Sequence, residues 1–456
     1  MSKKLVILGA GESGIGAAIL GKEKGYDVLV SDYGVISEET KDFFRKEKIP
    51  YEDGGHSGKV FEGDLVVKSP GISDNAKIII DLLASGVEVV SEVEFAFRFL
   101  DKEKVIAITG TNGKTTTTML TYHLLKTAGF KVAMGGNVGV SLAKLVAQGI
   151  YDYYVVEVSS FQLDGIVHFK PDVAVLLNIT PDHLDRYEND FSKYVHSKFR
   201  ITENLTKEEC FIYCADSEPI TEELAHRQIE SALFAISAAK NDQVAAYLAQ
   251  DHLIFDYTFN KQSKKEKIPL ADISLIGKHN MINTMASVLC ALQFEIGIEK
   301  ILRGLKTFKN APHRLELIAE INGVKYVNDS KATNVDAVYY AIDGIKAPIV
   351  WIAGGTDKGN DYSIIQDLVK SRVRHIVAIG KDNAALKKVF GPHIPVVEEE
   401  SMQKAVRKAK KLAVEGGTVL LSPACASFDR FRNYQDRGNQ FKYVVKEIQN
   451  SKKVKS

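Results

Sequence analysis

The stretch VIAITGTNGKTTTTML, Val105–Leu120, predicts a buried strand, a glycine-containing loop and the start of a helix. The segment VIAIT is apolar enough for a strand covered on both faces. The segment TTTTMLTYHLLKTAG indicates a helix that ends at Gly129. Such a loop places free backbone amides at a helix N-terminus, where anions bind. The stretch therefore predicts an α/β fold with a phosphate site at the edge of a parallel sheet.

The spacing of the loop differs from the usual pattern G-x-x-x-x-G-K-[ST]. Ile108 stands where the outer glycine is expected, and Gly110 lies only three residues before Gly113. We interpret this as a shortened phosphate loop. Lys114 would then bind the β- and γ-phosphates of a nucleotide, and Thr115 would offer its hydroxyl to Mg²⁺. The alternative is a threonine-rich helix cap without a ligand.

Short apolar strands alternate with helix-length amphipathic segments along most of the 456 residues. This pattern predicts an α/β protein with three domains, at residues 1–93, 94–310 and 311–456. The basic segment KQSKKEK, 261–267, is interpreted as a solvated loop.

Composition excludes several functional classes. The net charge is +1, so the sequence offers no field for a nucleic-acid partner. No stretch reaches the ~18 uninterrupted apolar residues of a membrane span, and we expect a cytoplasmic protein without a membrane partner. Of the four cysteines, Cys210 and Cys214 form a C-x₃-C pair with no second pair nearby, so buried free thiols are expected rather than a zinc site.

The N-terminal segment LVILGAGESGIGAA contains the pattern Gly9-x-Gly11-x-x-Gly14 between a strand and a helix. Asp32 ends the next strand, about 20 residues on, where an acidic residue commonly meets a ribose hydroxyl. The motif indicates a diphosphate and a ribose, and both a nicotinamide dinucleotide and a uridine diphosphate sugar present them. Ser69 and Gly71, in KSPGIS, follow a later strand of the same sheet. A tight turn without a ligand remains the alternative for both segments.

Two further strands end in residues that can bind a metal. Glu157 lies near the end of YYVVEVSS, and His183 follows DVAVLLNIT. In a parallel sheet both would reach the edge that carries the phosphate loop, where they would suit a second Mg²⁺. A capping carboxylate and a loop histidine are the alternatives. Tyr194 and Lys198 share one face of a helix capped by Asp190, and from the sequence alone Lys198 is expected to be a solvated charge.

Together these motifs resemble one family. GTNGKTTT, GGNVG, EVSSFQL, NITPDHLDRY, HSKFR and GKHNMINTMAS resemble the Mur ligases of peptidoglycan synthesis and their relative folylpolyglutamate synthase. VNDSKATN, IAGGTDKGNDYS and LSPACASFDRFRNYQDRGNQF narrow the resemblance to the Mur ligases that use D-glutamate. The resemblance covers essentially the whole chain.

The resemblance implies a Rossmann-like UDP-binding domain, a central ATPase domain with a phosphate loop, and a Rossmann-like domain that brings the amino acid. It implies that ATP phosphorylates the carboxylate of UDP-N-acetylmuramoyl-L-alanine, and that D-glutamate attacks the acyl phosphate through a tetrahedral intermediate. Two Mg²⁺ ions and a carbamate on Lys198 are also implied. A lysine amine must be neutral to be carbamylated, and the pKa of lysine is easily shifted by its surroundings. We expect the protein to act as a monomer.

The resemblance assigns roles to particular positions. The residues implied in catalysis are Lys114, Glu157, His183 and Lys198, and the implied metal ligands are Thr115, Glu157, His183 and the carbamate of Lys198. The positions implied for ATP are Gly110, Thr111, Asn112, Gly113, Lys114, Thr115, Thr116, Asn283, Arg314, Asp329 and Lys331. Those implied for the UDP substrate are Gly11, Ser13, Gly14, Asp32, Ser69, Pro70, Gly71, Asn137, Ser159, Gln162 and His183. Those implied for D-glutamate are Thr333, Lys358, Ser427 and Tyr434.

Three rival functions follow from parts of the sequence. A folylpolyglutamate synthase would share the phosphate loop but is not expected to carry the N-terminal glycine motif or SPACASFDRF. A nicotinamide dehydrogenase would use the glycine motif but leave Lys114 without a role. A nucleotide-binding module without catalysis would keep the loop alone.

Overall fold

The computed structural model describes residues 2–240, 243–259, 262–275, 277–357 and 359–453. These residues form three sheets surrounded by helices, which confirms the predicted α/β class. They divide into two compact units. One consists of the chain up to Ser274 together with Met281–Phe308, and the other of Leu275–Asn280 and the chain from Lys309 onward. The boundaries of the three predicted domains stay a prediction.

The first sheet is built from parallel strands in the order β3-β2-β1-β4-β5. Its strands are β1 Lys4–Leu8, β2 Asp27–Ser31, β3 Tyr51–Glu52, β4 Leu65–Lys68 and β5 Glu88–Ser91. The helices are α1 Glu12–Glu23, α2 Glu38–Glu47, α3 Lys77–Ala84 and α4 Glu92–Phe97. Because β1 is central, the loop after it and the loops after β2 and β4 meet at one edge.

The second sheet has the order β14-β13-β12-β11-β10-β9-β6-β8-β7. Its strands are β6 Lys104–Thr109, β7 Val132–Gly136, β8 Tyr153–Glu157, β9 Val173–Leu176, β10 Cys210–Cys214, β11 Ala232–Ser237, β12 Ala246–Ala249, β13 His252–Phe259 and β14 Gln262–Pro269. Its helices are α5 Lys114–Ala128, α6 Leu142–Gln148, α7 Ser160–Leu163, α8 Phe191–Phe199, α9 Glu218–Ala225, α10 Lys278–Gln293 and α11 Ile298–Thr307. Strands β6 to β12 are parallel, and β13 and β14 extend the sheet in antiparallel fashion.

The interpretation of the basic segment 261–267 as a loop is wrong for the part that the structure describes. Residues 262–267 belong to β14, which pairs with β13. Lys265 lies opposite Asp256 and forms an ion pair with it at 2.7 Å. Lysines on an edge strand are compatible with pairing on one side and discourage pairing on the other. Charge density alone therefore gave the wrong expectation.

The third sheet has the order β15-β16-β20-β17-β18-β19, with only β15 antiparallel. Its strands are β15 Glu316–Ile321, β16 Val324–Asn328, β17 Ile349–Ala353, β18 Val373–Ala378, β19 Val396–Glu398 and β20 Thr418–Leu421. Its helices are α12 Val335–Gly344, α13 Gln366–Arg372, α14 Ala384–Phe390, α15 Met402–Leu412 and α16 Tyr434–Lys453. Trp351, the single tryptophan of the chain, is fully buried in β17.

Short 3₁₀ helices occur at Gly58–Glu62, Leu184–Tyr187, Arg200–Thr202, Leu270–Asp272 and Tyr362–Ile365. The four cysteines are buried free thiols, as expected. None of the helices that the structure describes is long and apolar enough to cross a membrane.

Helix α4 joins the first two sheets into one unit. The buried carboxylate of Glu94 accepts hydrogen bonds from the amides of Val167, His168 and Phe169, at 3.0, 2.9 and 2.8 Å. Glu92, also fully buried, accepts a hydrogen bond from the amide of Ala143 at the start of α6. One apolar core extends from the first sheet into the second. The junction is therefore built of buried polar contacts as well as apolar packing.

Glu92 predicts a pH-dependent stability. Burial raises its pKa to about 7, from an ordinary value of 4.5, and its Oε2 has no hydrogen-bond partner within the described ranges. Between these values the folded chain keeps a proton that the unfolded chain has lost, so stability falls as pH rises. Glu92→Gln carries an uncharged group of the same shape, and we expect it to stabilise the protein at pH 8 by up to about 3 kcal/mol. The gain should vanish near pH 4.5.

Thermal unfolding measured from pH 4.5 to pH 8 tests this expectation. Glu23→Gln, at an exposed position of α1, is the control and should give the same shift at every pH. An unchanged pH profile for Glu92→Gln would show that the carboxyl is not protonated in the folded state.

Candidate active site

The phosphate loop lies between β6 and α5, as the sequence predicts. Gly110 and Gly113 have φ angles of 146° and 87°. These values favour glycine, because a Cβ atom strains the backbone there. Gly113 caps the N-terminus of α5, and Gly129, with φ of 97°, ends the helix at the predicted residue. The loop amides thus lie at the positive end of a helix of 15 residues.

The loop is fixed to the end of β9 by a residue that the sequence analysis did not single out. The side chain of Asn178 accepts a hydrogen bond from the Asn112 amide at 2.8 Å and donates to the Asn112 carbonyl at 3.0 Å. The backbone carbonyl of Asn178 accepts from the Thr111 amide at 2.9 Å. The Thr111 hydroxyl donates to the carbonyl of Thr180 at 3.1 Å. These bonds hold the shortened loop in shape without an outer glycine.

Two lysines share one carbonyl of this loop. Gly110 O accepts from Lys114 Nζ at 2.8 Å and from Lys198 Nζ at 2.9 Å. Lys114 Nζ also donates to Thr111 O at 2.8 Å. Lys198 is only 1% exposed, so the expectation of a solvated charge is wrong. Burial, together with the charge of Lys114, holds the pKa of Lys198 well below its ordinary value.

Helix α8 delivers Lys198 to the loop. The Asp190 side chain caps the helix by accepting from the Ser192 amide at 2.8 Å, as predicted. Tyr194 lies on the same face, and Lys198 Nζ is 4.7 Å from the centroid of its ring. The Tyr194 hydroxyl lies 3.2 Å from the Thr111 hydroxyl. Tyr194 therefore contacts both the lysine and the loop.

Glu157 lies at the end of β8, beside the strand that leads into the phosphate loop. Its Oε1 accepts from the Asn137 side chain at 3.0 Å. Its Oε2 is buried, and no group in the described part of the chain forms a hydrogen bond with it. An unpaired buried carboxylate oxygen is costly unless a cation binds it. Together with the hydroxyl of Thr115 in the first turn of α5, this oxygen fits the ligand preference of Mg²⁺.

His183 is not joined to these groups in the described part of the chain. Its side chain is 52% exposed, and its Nε2 lies 3.7 Å from a carboxylate oxygen of Asp182. Its ring packs edge-on against Phe161, with the centroids 5.3 Å apart. Within the described ranges, no group of three or more His, Cys, Asp or Glu side chains is placed to hold a metal. A metal role for His183 stays a prediction.

Several residues predicted for the UDP substrate shape the loops of the first unit. Both carboxylate oxygens of Asp32 accept backbone hydrogen bonds, from Ala10 at 2.7 Å and Gly34 at 2.8 Å. A Cβ atom at Gly14 would lie 1.9 Å from the Gly9 carbonyl, so the third glycine allows close packing of the turn. Gly11 is the N-cap of α1, and Ser13 lies in its first turn.

Ser159 and Gln162 form a capping box at the start of α7. The Gln162 side chain accepts from the Ser159 amide at 3.0 Å, and the Ser159 hydroxyl accepts from the Gln162 amide at 3.3 Å. Gln162 Nε2 is buried and finds no hydrogen-bond partner among the described residues. A substrate role for this pair stays a prediction.

The second unit contains most of the residues predicted for D-glutamate and three of those predicted for ATP, Arg314, Asp329 and Lys331. Asp329 accepts from the Ser422 hydroxyl at 2.9 Å and the Leu315 amide at 3.2 Å, and burial raises its pKa to about 7. Lys331 Nζ lies 4.0 Å from the centroid of the Tyr434 ring. Thr333 is exposed, Ser427 is buried and Arg314 is half-buried. Lys358 lies outside the described residues.

The sequence analysis also missed Arg437, which is fully buried in α16. Its guanidinium donates to the hydroxyl and the carbonyl of Ser330, at 3.0 and 2.8 Å, and to the Cys425 carbonyl at 3.0 Å. It thereby joins the segment after β16 to the segment SPACAS. A buried arginine needs such partners, but the sequence does not show where they are.

Gly113→Ala is expected to abolish ATP binding. A Cβ atom at Gly113 would lie 2.5 Å from Oδ1 of Asn283, which is itself a residue predicted for ATP. The positive φ adds strain of about 1–2 kcal/mol. Either the loop or the Asn283 side chain must therefore shift, and both are predicted to contact ATP. Calorimetric titration with ATP and Mg²⁺ measures the effect.

Gly129→Ala is the matched control for this variant. It places the same strain at the other end of α5, where a Cβ atom meets nothing within 4 Å. We expect a lower melting temperature and unchanged ATP binding. Equal ATP affinity in Gly113→Ala and the wild type would contradict the predicted role of this loop in ATP binding.

Comparison with known proteins places this geometry in a family. Residues 4–78 match the MurD N-terminal domain, residues 108–291 the Mur ligase middle domain, and residues 313–425 the Mur ligase glutamate ligase domain. A UDP-N-acetylmuramoylalanine–D-glutamate ligase of Christiangramia forsetii is 47% identical over 98% of this chain and 100% of its own length. One of the same name from Cytophaga hutchinsonii is 48% identical, also over 98% and 100%.

The chain belongs to the Mur ligase family. Among solved structures, a MurF of Acinetobacter baumannii matches this Mur ligase with a TM-score of 0.63 at 16% identity, over 96% of this chain and 93% of that one. A pseudomurein peptide ligase type C from Methanothermus fervidus matches with a TM-score of 0.61 at 21% identity, over 98% and 100%. At such identities the likeness concerns the fold alone.

Proposed function

We propose that this Mur ligase joins D-glutamate to UDP-N-acetylmuramoyl-L-alanine, with conversion of ATP to ADP and phosphate. The observation that carries the proposal is the full-length similarity to ligases of that name, at 47% and 48% identity. The folylpolyglutamate synthase alternative is not supported, because the N-terminal match is to a MurD domain. The arrangement around the phosphate loop is compatible with the chemistry.

The reaction needs cations where negative oxygens meet. A carboxylate oxygen of the substrate attacks the γ-phosphorus of ATP, and ADP leaves. The amine of D-glutamate then attacks the acyl carbon, loses a proton, and phosphate leaves from the tetrahedral intermediate. Lys114, held at the mouth of the loop by two carbonyls, is proposed to bind the β- and γ-phosphates. The loop amides and the α5 N-terminus add to this field.

ATP and Mg²⁺ are the cofactors that membership of this family implies. We propose that Thr115, Glu157 and a carbamate on Lys198 would hold Mg²⁺, which would neutralise the charge that develops on the phosphates. The unpartnered Oε2 of Glu157 and the depressed pKa of Lys198 support this assignment. A neutral lysine amine reacts with CO₂, and the carbamate formed is an anion that suits Mg²⁺.

In the second unit, we propose Asp329, Arg314 and Lys331 for ATP, and Thr333, Ser427 and Tyr434 for D-glutamate. The hydroxyl groups of these three residues can donate hydrogen bonds to the two carboxylates of that amino acid. Asp32 and the loops Gly11–Gly14 and Ser69–Gly71 are proposed to bind the UDP part of the other substrate.

Phosphate release that depends on the added amino acid tests the function. We expect turnover with UDP-N-acetylmuramoyl-L-alanine, ATP, Mg²⁺ and D-glutamate, and little with L-glutamate or D-aspartate. A folate acceptor in place of the UDP substrate is the control for the rival ligase. Turnover with the folate alone would overturn the proposal.

A further inference from the structure

Arg186 connects the first sheet to the second through an unusual set of contacts. It lies in the 3₁₀ helix Leu184–Tyr187, after β9 of the second sheet. Its guanidinium nitrogens donate to three consecutive carbonyls of the loop after β4, those of Pro70, Gly71 and Ile72, at 3.4, 3.3 and 3.2 Å. A planar guanidinium with five donors suits such a set, whereas an ammonium does not.

These contacts fix the orientation of the peptide planes in the loop. The C=O and the next N–H of one peptide point in opposite directions because the peptide is planar and trans. Because the Pro70 carbonyl points toward Arg186 and accepts a hydrogen bond from it, the amide of Gly71 points to the other side of the loop. The amide of Ile72 is used within the turn, since it donates to the Ser69 carbonyl at 3.0 Å. The Gly71 amide is thus oriented by Arg186.

The first residue of this loop, Ser69, lies beside the glycine motif. The Ser69 hydroxyl is buried and has no hydrogen-bond partner among the residues that the structure describes. It lies 2.6 Å from the position of a Cβ atom at Gly9, the first glycine of that motif. A hydroxyl without a partner beside a phosphate-binding motif is a donor available to a diphosphate. Arg186 stabilises the turn that holds it there.

The same guanidinium contacts the other predicted part of the substrate site. Its central carbon lies 4.4 Å from the centroid of the Phe161 ring. Phe161 lies in α7, between Ser159 and Gln162 of the capping box, and its ring also packs against His183. A guanidinium placed over the face of an aromatic ring makes a favourable cation–π contact, and arginine is the residue that most often does so. One side chain therefore joins the loop Ser69–Gly71, helix α7 and the segment that carries His183.

We propose that Arg186 is a positioning residue for the UDP substrate. Through its hydrogen bonds to three carbonyls and its contact with Phe161, Arg186 orients the loop Ser69–Gly71 toward the diphosphate. The inference rests on the proposed function and names a determinant of substrate affinity within it. Arg186 acts through the loop and not on ATP or D-glutamate. Its loss should therefore change the KM of one substrate only.

Steady-state kinetics of Arg186→Lys and Arg186→Ala test the proposal. Lysine keeps the positive charge but lacks the planar guanidinium that donates to the three carbonyls, and alanine lacks both. Both variants should therefore raise the KM for UDP-N-acetylmuramoyl-L-alanine at least about 10-fold. The KM values for ATP and D-glutamate and kcat should change less than about 2-fold. UDP binding by calorimetry should weaken in parallel with the KM. A UDP-substrate KM and UDP affinity equal to the wild type would overturn the proposal.

Arg200→Lys is the matched control. The Arg200 guanidinium also donates to backbone carbonyls, those of Asp164 and Ile166, but both lie within the second sheet's own elements. We expect unchanged KM values. If Arg186→Lys instead lowers kcat and raises every KM together, its role is only structural and the proposal is wrong. Absence of any turnover in the wild type would contradict the proposed function, while UDP calorimetry would still decide the role of Arg186.

Discussion

Lys114→Ala is expected to reduce D-glutamate-dependent phosphate release by about 10²–10³-fold or more. The ammonium group is held by the carbonyls of Gly110 and Thr111, beside the N-terminus of α5. The substitution removes this positive charge from the proposed site of the β- and γ-phosphates. A second effect is expected on Lys198, because the charge of Lys114 helps to lower the pKa of that amine.

A coupled assay of phosphate release, with circular dichroism and thermal unfolding, checks this prediction. Lys126→Ala is the control, since Lys126 lies in the last turn of the same helix and contacts Tyr122. We expect it to retain activity. Phosphate release by Lys114→Ala within a few-fold of the wild type would rule out the proposed role of the loop.

Lys198→Ala is expected to lower kcat by a similar factor, about 10²–10³-fold, because it removes the proposed anionic Mg²⁺ ligand. In the wild type, activity should fall when dissolved CO₂ is removed and return when bicarbonate is added. At a fixed concentration of CO₂ activity should rise with pH through the lowered pKa, because only the neutral amine reacts. Lys198→Ala should respond to neither change.

Carbon-13 NMR with labelled bicarbonate measures the carbamate directly. Lys193→Ala serves as the control, because Lys193 lies on the same helix, is exposed and pairs with Glu188 at 2.5 Å. It should keep both the carbamate signal and the CO₂ dependence. If the wild type shows neither the carbamate signal nor the CO₂ dependence, the carbamate proposal is wrong and Lys198 acts through its unmodified amine.

Local patterns in the sequence predicted the parts of the site that depend on neighbouring residues. The glycines at 110 and 113 indicated a strand-to-helix loop, and spacing placed Tyr194 and Lys198 on one helix face. Both predictions rest on the geometry of a few consecutive residues. The α/β class followed in the same way from short apolar strands that alternate with helices.

Long-range contacts could not be predicted from the same patterns. Asn178 binds a loop 66 residues away in the sequence, and Arg186 binds one more than 110 residues away. The burial of Lys198 depends on the packing of α8 against the phosphate loop, which no single segment determines. The sequence also predicted a loop where β14 forms, because strand pairing with β13 outweighs a high density of lysines.

The single buried tryptophan has a practical consequence. Trp351 Nε1 donates to the Ser422 carbonyl at 2.6 Å, and the Ser422 hydroxyl donates to Asp329. The indole is therefore linked through one intervening residue, Ser422, to the Asp329 carboxylate, which we propose to bind ATP. Because the chain has no other tryptophan, all tryptophan emission comes from the second unit. Nucleotide binding, which we propose near Asp329, can thus be followed by fluorescence without a label, and the loops of the first unit proposed to bind UDP contribute no tryptophan emission of their own.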